Sequence, residues 1–252
     1  ENLAALGLGG MTKGLTPLEM TAAYGSIANN GTYIEPIAFT KILDRNGNIL
    51  IDNQPKKNKV VSPQVAYIMT DILRTTVSNG TAKRAAIPNM TTAGKTGTTQ
   101  ENADAWFVGY TPYYVSAVWI GNDSPAIRLN QGSSMASSLW RNTMTKAHEG
   151  LQNKSFDRPE GIVSAQICTQ SGKLTGPSCS GTTITEIFAQ GTVPGEICSA
   201  HIGIPDEEPE DEEDEELEEE PEDKEEEDKD KDKDKDKDKD EKNEDKKDDN
   251  VT

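Results

Sequence analysis

Ala93-Gly94-Lys95-Thr96-Gly97-Thr98-Thr99, followed by Asp104-Ala105-Trp106-Phe107-Val108-Gly109-Tyr110-Thr111-Pro112 and then Val118-Trp119-Ile120-Gly121, is the stretch on which the reading of this 252-residue chain turns. Its β-branched and aromatic content, cut by turn residues, predicts three strands over 91–99, 104–111 and 113–121. Pro112 has no N–H to continue a ladder, so it marks a turn and makes the second and third strands antiparallel neighbours. On the first strand Thr96 and Thr98 alternate with Gly97, which puts both hydroxyls on one face. Gly97 has no side chain, so a second backbone can lie against the strand there. Lys95 adds a positive charge. Together they make a short edge able to pair with a peptide and hold its carboxylate. A bare Lys-Thr-Gly recurs by accident on surface strands, so the chemistry needs context.

Working outward, residues 134–149 carry Met135, Leu139, Trp140, Met144 and Ala147 and are predicted to form a helix. Upstream, Thr16, Pro17 and Glu19 are a capping box with proline at the first helical position. They open a helix near 17–29 that Asn29, Asn30 and Gly31 close. Residues 33–43 and 48–52 read as a hairpin around Asp44-Arg45-Asn46-Gly47, since Asn-Gly is a strong turn signal. The lysine-rich run 55–59 reads as a surface loop. A second helix follows Ser62-Pro63, with Ala66, Met69, Leu73 and Val77 at helical spacing and Gly80 as its stop. Helix, hairpin, helix, three strands and helix predict a mixed α/β (α+β) domain, an antiparallel sheet flanked by helices.

Charge divides the chain. The net charge is −18, but residues 1–205 hold 16 Lys/Arg against 14 Asp/Glu, whereas residues 206–252 hold 10 Lys against 30 Asp/Glu. The near-neutral body gives no electrostatic case for nucleic acid. The acidic tail has almost no apolar residue to offset the entropy of ordering, so it is expected to be a disordered, solvated spacer. No run of 18 apolar residues is present to span a membrane. The expected organisation is a domain over 1–154, a Gly/Pro/Ser/Thr-rich, loop-rich and cysteine-bearing extension over 155–205, and the tail over 206–252.

Further stretches supply the context that Lys-Thr-Gly needs. Gly14-Leu15-Thr16-Pro17-Leu18-Glu19-Met20, Tyr24-Gly25-Ser26-Ile27-Ala28-Asn29-Asn30-Gly31, Gly80-Thr81-Ala82, residues 93–99, residues 104–112 and Val118-Trp119-Ile120-Gly121-Asn122-Asp123 occur in that order. In this the chain resembles the C-terminal part of the transpeptidase domain of class A, bifunctional, high-molecular-weight penicillin-binding proteins. The resemblance implies the serine β-lactamase/D,D-peptidase-like transpeptidase fold. It implies penicillin binding and D,D-transpeptidation, in which a serine takes the acyl group of a peptidoglycan stem peptide and an amine of a neighbouring stem peptide accepts it. The family uses Ser-x-x-Lys, Ser-x-Asn and Lys-Thr-Gly. By resemblance Lys95 and Thr98 are catalytic, and Thr96, Gly97, Thr98 and Thr99 bind substrate. The Thr98 N–H would be one oxyanion donor.

Neither Ser-x-x-Lys nor Ser-x-Asn occurs in the 252 residues. The resemblance therefore implies that the N-terminal part of the domain, with the nucleophile and any membrane anchor, lies upstream of Glu1, and that the chain alone is inactive. It further implies stem peptides and β-lactams as partners, with cell-wall assembly proteins besides, no cofactor, and a place on the extracytoplasmic face of the bacterial membrane. Two rival functions are a D,D-carboxypeptidase or serine β-lactamase relative and a non-catalytic wall-peptide binding module.

Other residues admit several readings. Cys168, Cys179, Cys198 and His201 are a possible zinc set, because Cys198-x-x-His201 has ligand-like spacing. A disulfide with one cysteine spare, or three unpaired cysteines, are the competitors. The preferred expectation is no metal and a Cys168–Cys179 disulfide closing a short loop over Ser171-Gly172-Lys173. Trp106 and Trp119 are expected to pack in the core or at a cleft rim. His148, beside Glu149 at a helix end, is expected to be solvated.

Overall fold

The computed structural model describes residues 3–7, 9–99, 102–124, 127–130 and 132–201. After a short turn of helix, α1 (Leu3–Gly7), the capping box opens α2 (Pro17–Ala28) as expected. The Glu19 N–H donates to Thr16 Oγ1 at 3.2 Å and the Thr16 N–H donates to Glu19 Oε2 at 2.8 Å. That backbone bond from Thr16, then its side chain, holds the Glu19 carboxyl below the usual range. The helix closes through left-handed Asn30 and Gly31. Gly31 is required there, because a Cβ would collide with the Val61 carbonyl.

The next segment departs from the expected single hairpin. β1 (Thr32–Ile34) pairs with β4 (Lys57–Lys59), and between them β2 (Lys41–Leu43) pairs with β3 (Ile49–Asp52). The turn is where Asn-Gly placed it: Asp44 Oδ1 accepts the N–H groups of Asn46 and Asn48, each at 2.8 Å. The expected strand over 33–43 breaks after Ile34, where Pro36 removes a donor. The lysines read as a loop lie instead on an exposed edge strand, a place where lysine is common.

α3 (Pro63–Ser78) is capped by Ser62 Oγ, which accepts the Val65 N–H at 3.2 Å. A 3₁₀ turn (Lys83–Ala85) leads to the central sheet of β5 (Ala93–Thr98), β6 (Asp104–Tyr110) and β7 (Val115–Gly121). Its order is β5-β6-β7, antiparallel throughout, and α4 (Ser133–Ala147) follows. All three strands and the helix appear where the pattern predicts them.

The sheet is covered on both faces. Phe107 and Trp140 meet edge-on at 5.0 Å between β6 and α4, and Val77, Ala82, Ala85, Ile87, Ala105 and Met144 complete that core. Gly94 and Gly109 face each other across β5 and β6, and a Cβ at either would strike the Phe107 ring. On the other face Leu73, Ala93 and Tyr110 pack with Tyr24 and Ile27 of α2. The buried Tyr110 hydroxyl meets Thr70 Oγ1 at 2.9 Å. Burial first, with Tyr24 adding to it against the Thr70 bond, pushes the Tyr110 phenol up to about 12.

His148 is not solvated. It is 5% exposed, and its Nδ1 donates to the Met144 carbonyl at 2.6 Å. Its Nε2 takes the Thr111 hydroxyl at 2.7 Å. The same Thr111 oxygen accepts the Tyr113 and Tyr114 N–H groups, so the imidazole ties the β6–β7 turn to the end of α4.

The extension is more ordered than its composition suggests. β8 (Ile162–Cys168) and β9 (Thr183–Ala189) pair antiparallel over seven residues, Ile162↔Ala189 to Cys168↔Thr183. It rests on α3 through Gln64 Nε2, which donates to the Glu160 carbonyl at 2.8 Å. Cys168, Cys179 and Cys198 are all free thiols, so the expected Cys168–Cys179 disulfide is not formed. The three sulfurs gather at one end of the hairpin instead of pairing. The acidic tail, 206–252, lies outside the described residues.

Candidate active site

β5, like β7, is an edge strand of the central sheet among the described residues, and its backbone polarity follows from its register with β6. Antiparallel pairs alternate between exchanging both hydrogen bonds and exchanging none. The Thr99 N–H reaches the Asp104 carbonyl at 3.2 Å, which sets the phase. Gly97 and Lys95 therefore bond toward β6, and the N–H and C=O groups of Thr98, Thr96 and Gly94 turn to the outer edge. Two outward carbonyls are already used. Thr76 Oγ1 of α3 donates to Gly94, and Lys95 Nζ donates to Thr96 at 2.9 Å. The Thr98 N–H points along the same open edge.

Side chains sort by face. Thr96 lies opposite Phe107 and Thr98 opposite Ala105, so both threonines stand on the α4 side, as their alternation predicts. The Thr98 side chain lies against Gly132, the residue that opens α4. Thr96 Oγ1 is 3.1 Å from Thr81 Oγ1. Lys95 and Gly97 face the other way, opposite Val108 and Trp106, and Lys95 is exposed. Gly97 lies over Trp106, where an added Cβ would stand 3.1 Å from the tryptophan Cβ. Trp106 and Trp119 pair across β6 and β7 with centroids 6.4 Å apart, forming a partly exposed aromatic rim beside Lys95.

Thr99 sits apart from the others. Its hydroxyl donates to Asp104 Oδ2 at 3.1 Å and accepts the Asp104 N–H at 2.8 Å. Asp104 Oδ1 in turn accepts the Trp119 indole N–H at 2.9 Å. Asp104 thus pins the end of β5 and orients the rim. Reading the sequence for chemistry passed over Asp104, Thr76 and Thr81. The available signals were an acidic residue at a strand start and the hydroxyls at the end of α3 and just past it.

What this wall can do follows from its groups. An extended peptide can add to the free edge as a further strand. Thr96 and Thr98 offer hydroxyls, and Lys95 a charge, to one end of it. The Thr98 N–H can donate to a developing oxyanion.

Residues 1–145 match the family described as penicillin binding protein transpeptidase domain. The chain belongs to that family. Residues 158–203, which take in the β8–β9 hairpin, match a second description, penicillin-binding protein 1A, C-terminal domain. Penicillin-binding protein 1A of Clostridium tetani is 40% identical over 217 residues, covering 81% of this chain and 27% of that protein. Penicillin-binding protein 1A/1B of Bacillus subtilis is 34% identical over 216 residues, covering 77% of this chain and 23% of that protein. Among solved structures, penicillin-binding protein 1A of Haemophilus influenzae aligns with a TM-score of 0.66 at 27% identity, over 73% of this chain and 33% of that one. The chain is the C-terminal part of a class A penicillin-binding transpeptidase domain with the mixed α/β fold of that family. It spans about a quarter of the length of the curated relatives it matches. Among the described residues no helix is long and apolar enough to cross a membrane.

Proposed function

We propose that this chain supplies the substrate-binding wall of a D,D-transpeptidase site that cross-links peptidoglycan stem peptides and is acylated by β-lactams. The observation that carries the reading is the outer edge of β5, where the Thr96 and Thr98 backbone groups face outward beside Lys95 and two threonine hydroxyls. In this reading the stem peptide lies along that edge with its terminal carboxylate toward the Thr96 and Thr98 hydroxyls. The Thr98 N–H is one of two donors to the tetrahedral oxyanion. The serine nucleophile, its base and the second donor come from sequence other than these residues, since neither serine motif occurs among them. Thr99 acts through Asp104 and positions the end of the strand.

Labelling with a fluorescent penicillin tests the reading. The 252-residue chain alone stays unlabelled, and a longer protein that includes the serine motifs is labelled. In that longer protein Lys95→Ala slows acylation by about a hundredfold or more, the scale of losing one preorganised electrostatic partner. Thr98→Val keeps the backbone donor and loses one hydroxyl bond to a carboxylate, so it slows acylation about tenfold. Stoichiometric labelling of the chain alone, or unchanged labelling of the Lys95→Ala protein, overturns the assignment of this wall.

A further inference from the structure

Phe156 packs the start of the extension on Tyr110, but the β8–β9 unit beyond it buries few apolar side chains. Units of under about 50 residues seldom bury enough surface and are usually stapled by disulfides or a metal. Among the described residues of the extension the buried aliphatic side chains are Ile162 and Ile167 of β8, and the buried cluster that packs together is Cys168, Cys179 and Cys198. Ile184 and Ile197 are exposed. The three sulfurs and the His201 ring offer four ligand atoms that all lie within 4.8 Å of one another. Cys168 Sγ and His201 Nε2 are 3.2 Å apart. Four ligands at ordinary zinc distances, about 2.3 Å for sulfur and 2.0–2.1 Å for nitrogen, stand about 3.5–3.8 Å from each other around a tetrahedron. The cluster needs shifts of only a fraction of an ångström to one ångström to reach that shape.

The backbone around the cluster is arranged for sulfur ligands. The Gly176 N–H donates to Cys179 Sγ and the Ala200 N–H to Cys198 Sγ, each at 3.4 Å. Gly176 passes so close to the Cys198 carbonyl that a Cβ would clash with it, which locks the two arms together. Lys173, paired with Glu196 at 2.7 Å, bridges the same arms at the edge of the cluster. Three thiolates around a divalent ion leave one negative charge at the cluster. An odd number of cysteines leaves one sulfur over from any disulfide, whereas three sulfurs and one imidazole complete a four-coordinate shell.

The structure assigns Cys168, Cys179, Cys198 and His201 as a closed structural zinc site that staples the two arms of the extension. On binding, any protonated thiol among the three loses its proton to solvent and His201 binds as the neutral imidazole, so the ion is held without redox change. With no open position, the site takes no part in the acyl transfer proposed above and does not depend on it. A zinc-ligating sulfur is conventionally supported by N–H donors of the kind seen here.

The test uses the whole 252-residue chain, purified over a chelating resin and analysed for metals. It retains about one zinc per chain. Cys198→Ser and His201→Ala each reduce this to under about a tenth, and His201→Cys keeps it. Exchange into cobalt gives a thiolate-to-cobalt charge-transfer band, which grows by about a third in His201→Cys as three sulfurs become four. The wild-type stoichiometry and cobalt spectrum decide the matter even if a variant fails to fold. A zinc-free chain with three titratable thiols, a Cys168–Cys179 disulfide in the unreduced peptide map, or another metal in place of zinc overturns the proposal.

Discussion

β6 and β8 are both seven-residue strands paired along their length with an antiparallel neighbour, yet they are held in different ways. β6 buries Ala105, Phe107, Val108 and Tyr110 between helices on both sides, against Trp140, Leu73 and Tyr24 of α2. β8 buries residues at its two ends only, and its partner β9 is largely open to solvent. Beside Ile167, the buried side chains that cluster with Cys168 are two further cysteines. Hydrogen-bonded pairing alone contributes little net stability, because water competes for the same groups. A sheet therefore persists where something else covers or clamps it. The central sheet relies on apolar area, and the extension on ligand chemistry at one end.

The largest effect that sharpens this contrast is in the central sheet. Trp140→Ala removes a ring that is fully buried against Phe107 and costs about 3–5 kcal/mol, measured by denaturant unfolding. The same substitution leaves the reaction rate of the three cysteines with a thiol reagent, under native conditions, unchanged. Accelerated thiol reaction would show that the two sheets share one core and break the comparison.

A smaller loss is expected at the polar latch. His148→Ala leaves the Thr111 hydroxyl without its buried acceptor, while the Met144 carbonyl keeps the backbone N–H of residue 148, and costs about 1–3 kcal/mol in the same assay. A change below about half a kcal/mol would show that water replaces the ring without penalty.

Smaller again is an alkaline effect confined to the central sheet. The Tyr110 phenol is raised to about 12, so the folded state holds its proton more tightly than the unfolded chain does. Its contribution is complete below the unfolded value near 10 and is lost as pH rises from there through about 12. Tyr110→Phe flattens that stretch of the stability–pH curve and costs about 1 kcal/mol at neutral pH, where Thr70 keeps its bond to Ala66. An unchanged alkaline slope would remove Tyr110 from the account.

The smallest effect lies at the seam of the extension. Lys173 and Glu196 are both well exposed, and each shifts the other: the lysine is raised chiefly by its bond to Glu196, and the carboxyl is lowered chiefly by its bond to Lys173. The carboxyl's share is present above the ordinary carboxylate value and fades as pH falls through the lowered one. Glu196→Gln therefore produces a slight change in thermal midpoint at neutral pH, reduced further by salt, since exposed pairs are weak and screened. A large, salt-insensitive change would mean that the pair, rather than the cysteine cluster, clamps the arms.

Residues 93–121 were legible in the sequence because each of their signals is local. Alternation, Pro112 and the spacing of Thr96 and Thr98 determine strands, turn and face from neighbours two residues away. The capping box at Thr16 and Glu19 and the turn at Asp44 were legible for the same reason. Misreadings arose where the partner is distant in the chain. β1 finds β4 across an inserted hairpin, and lysines that look like loop pair as an edge. His148 looks solvated beside Glu149 until Thr111, 37 residues away, closes over it. The Cys198-x-x-His201 spacing hinted at a ligand set, but the cysteine spacing did not decide between a disulfide and a cluster. That choice belongs to the β8–β9 register and to the return of residues 196–198 along Leu174, which bring three sulfurs and an imidazole to one point. Sequence by itself determined the family and the elements of residues 93–121, since these follow from residue type and short spacing. Tertiary structure alone decided which edge stays open and which side chains meet, because those depend on contacts between residues that the chain order keeps far apart.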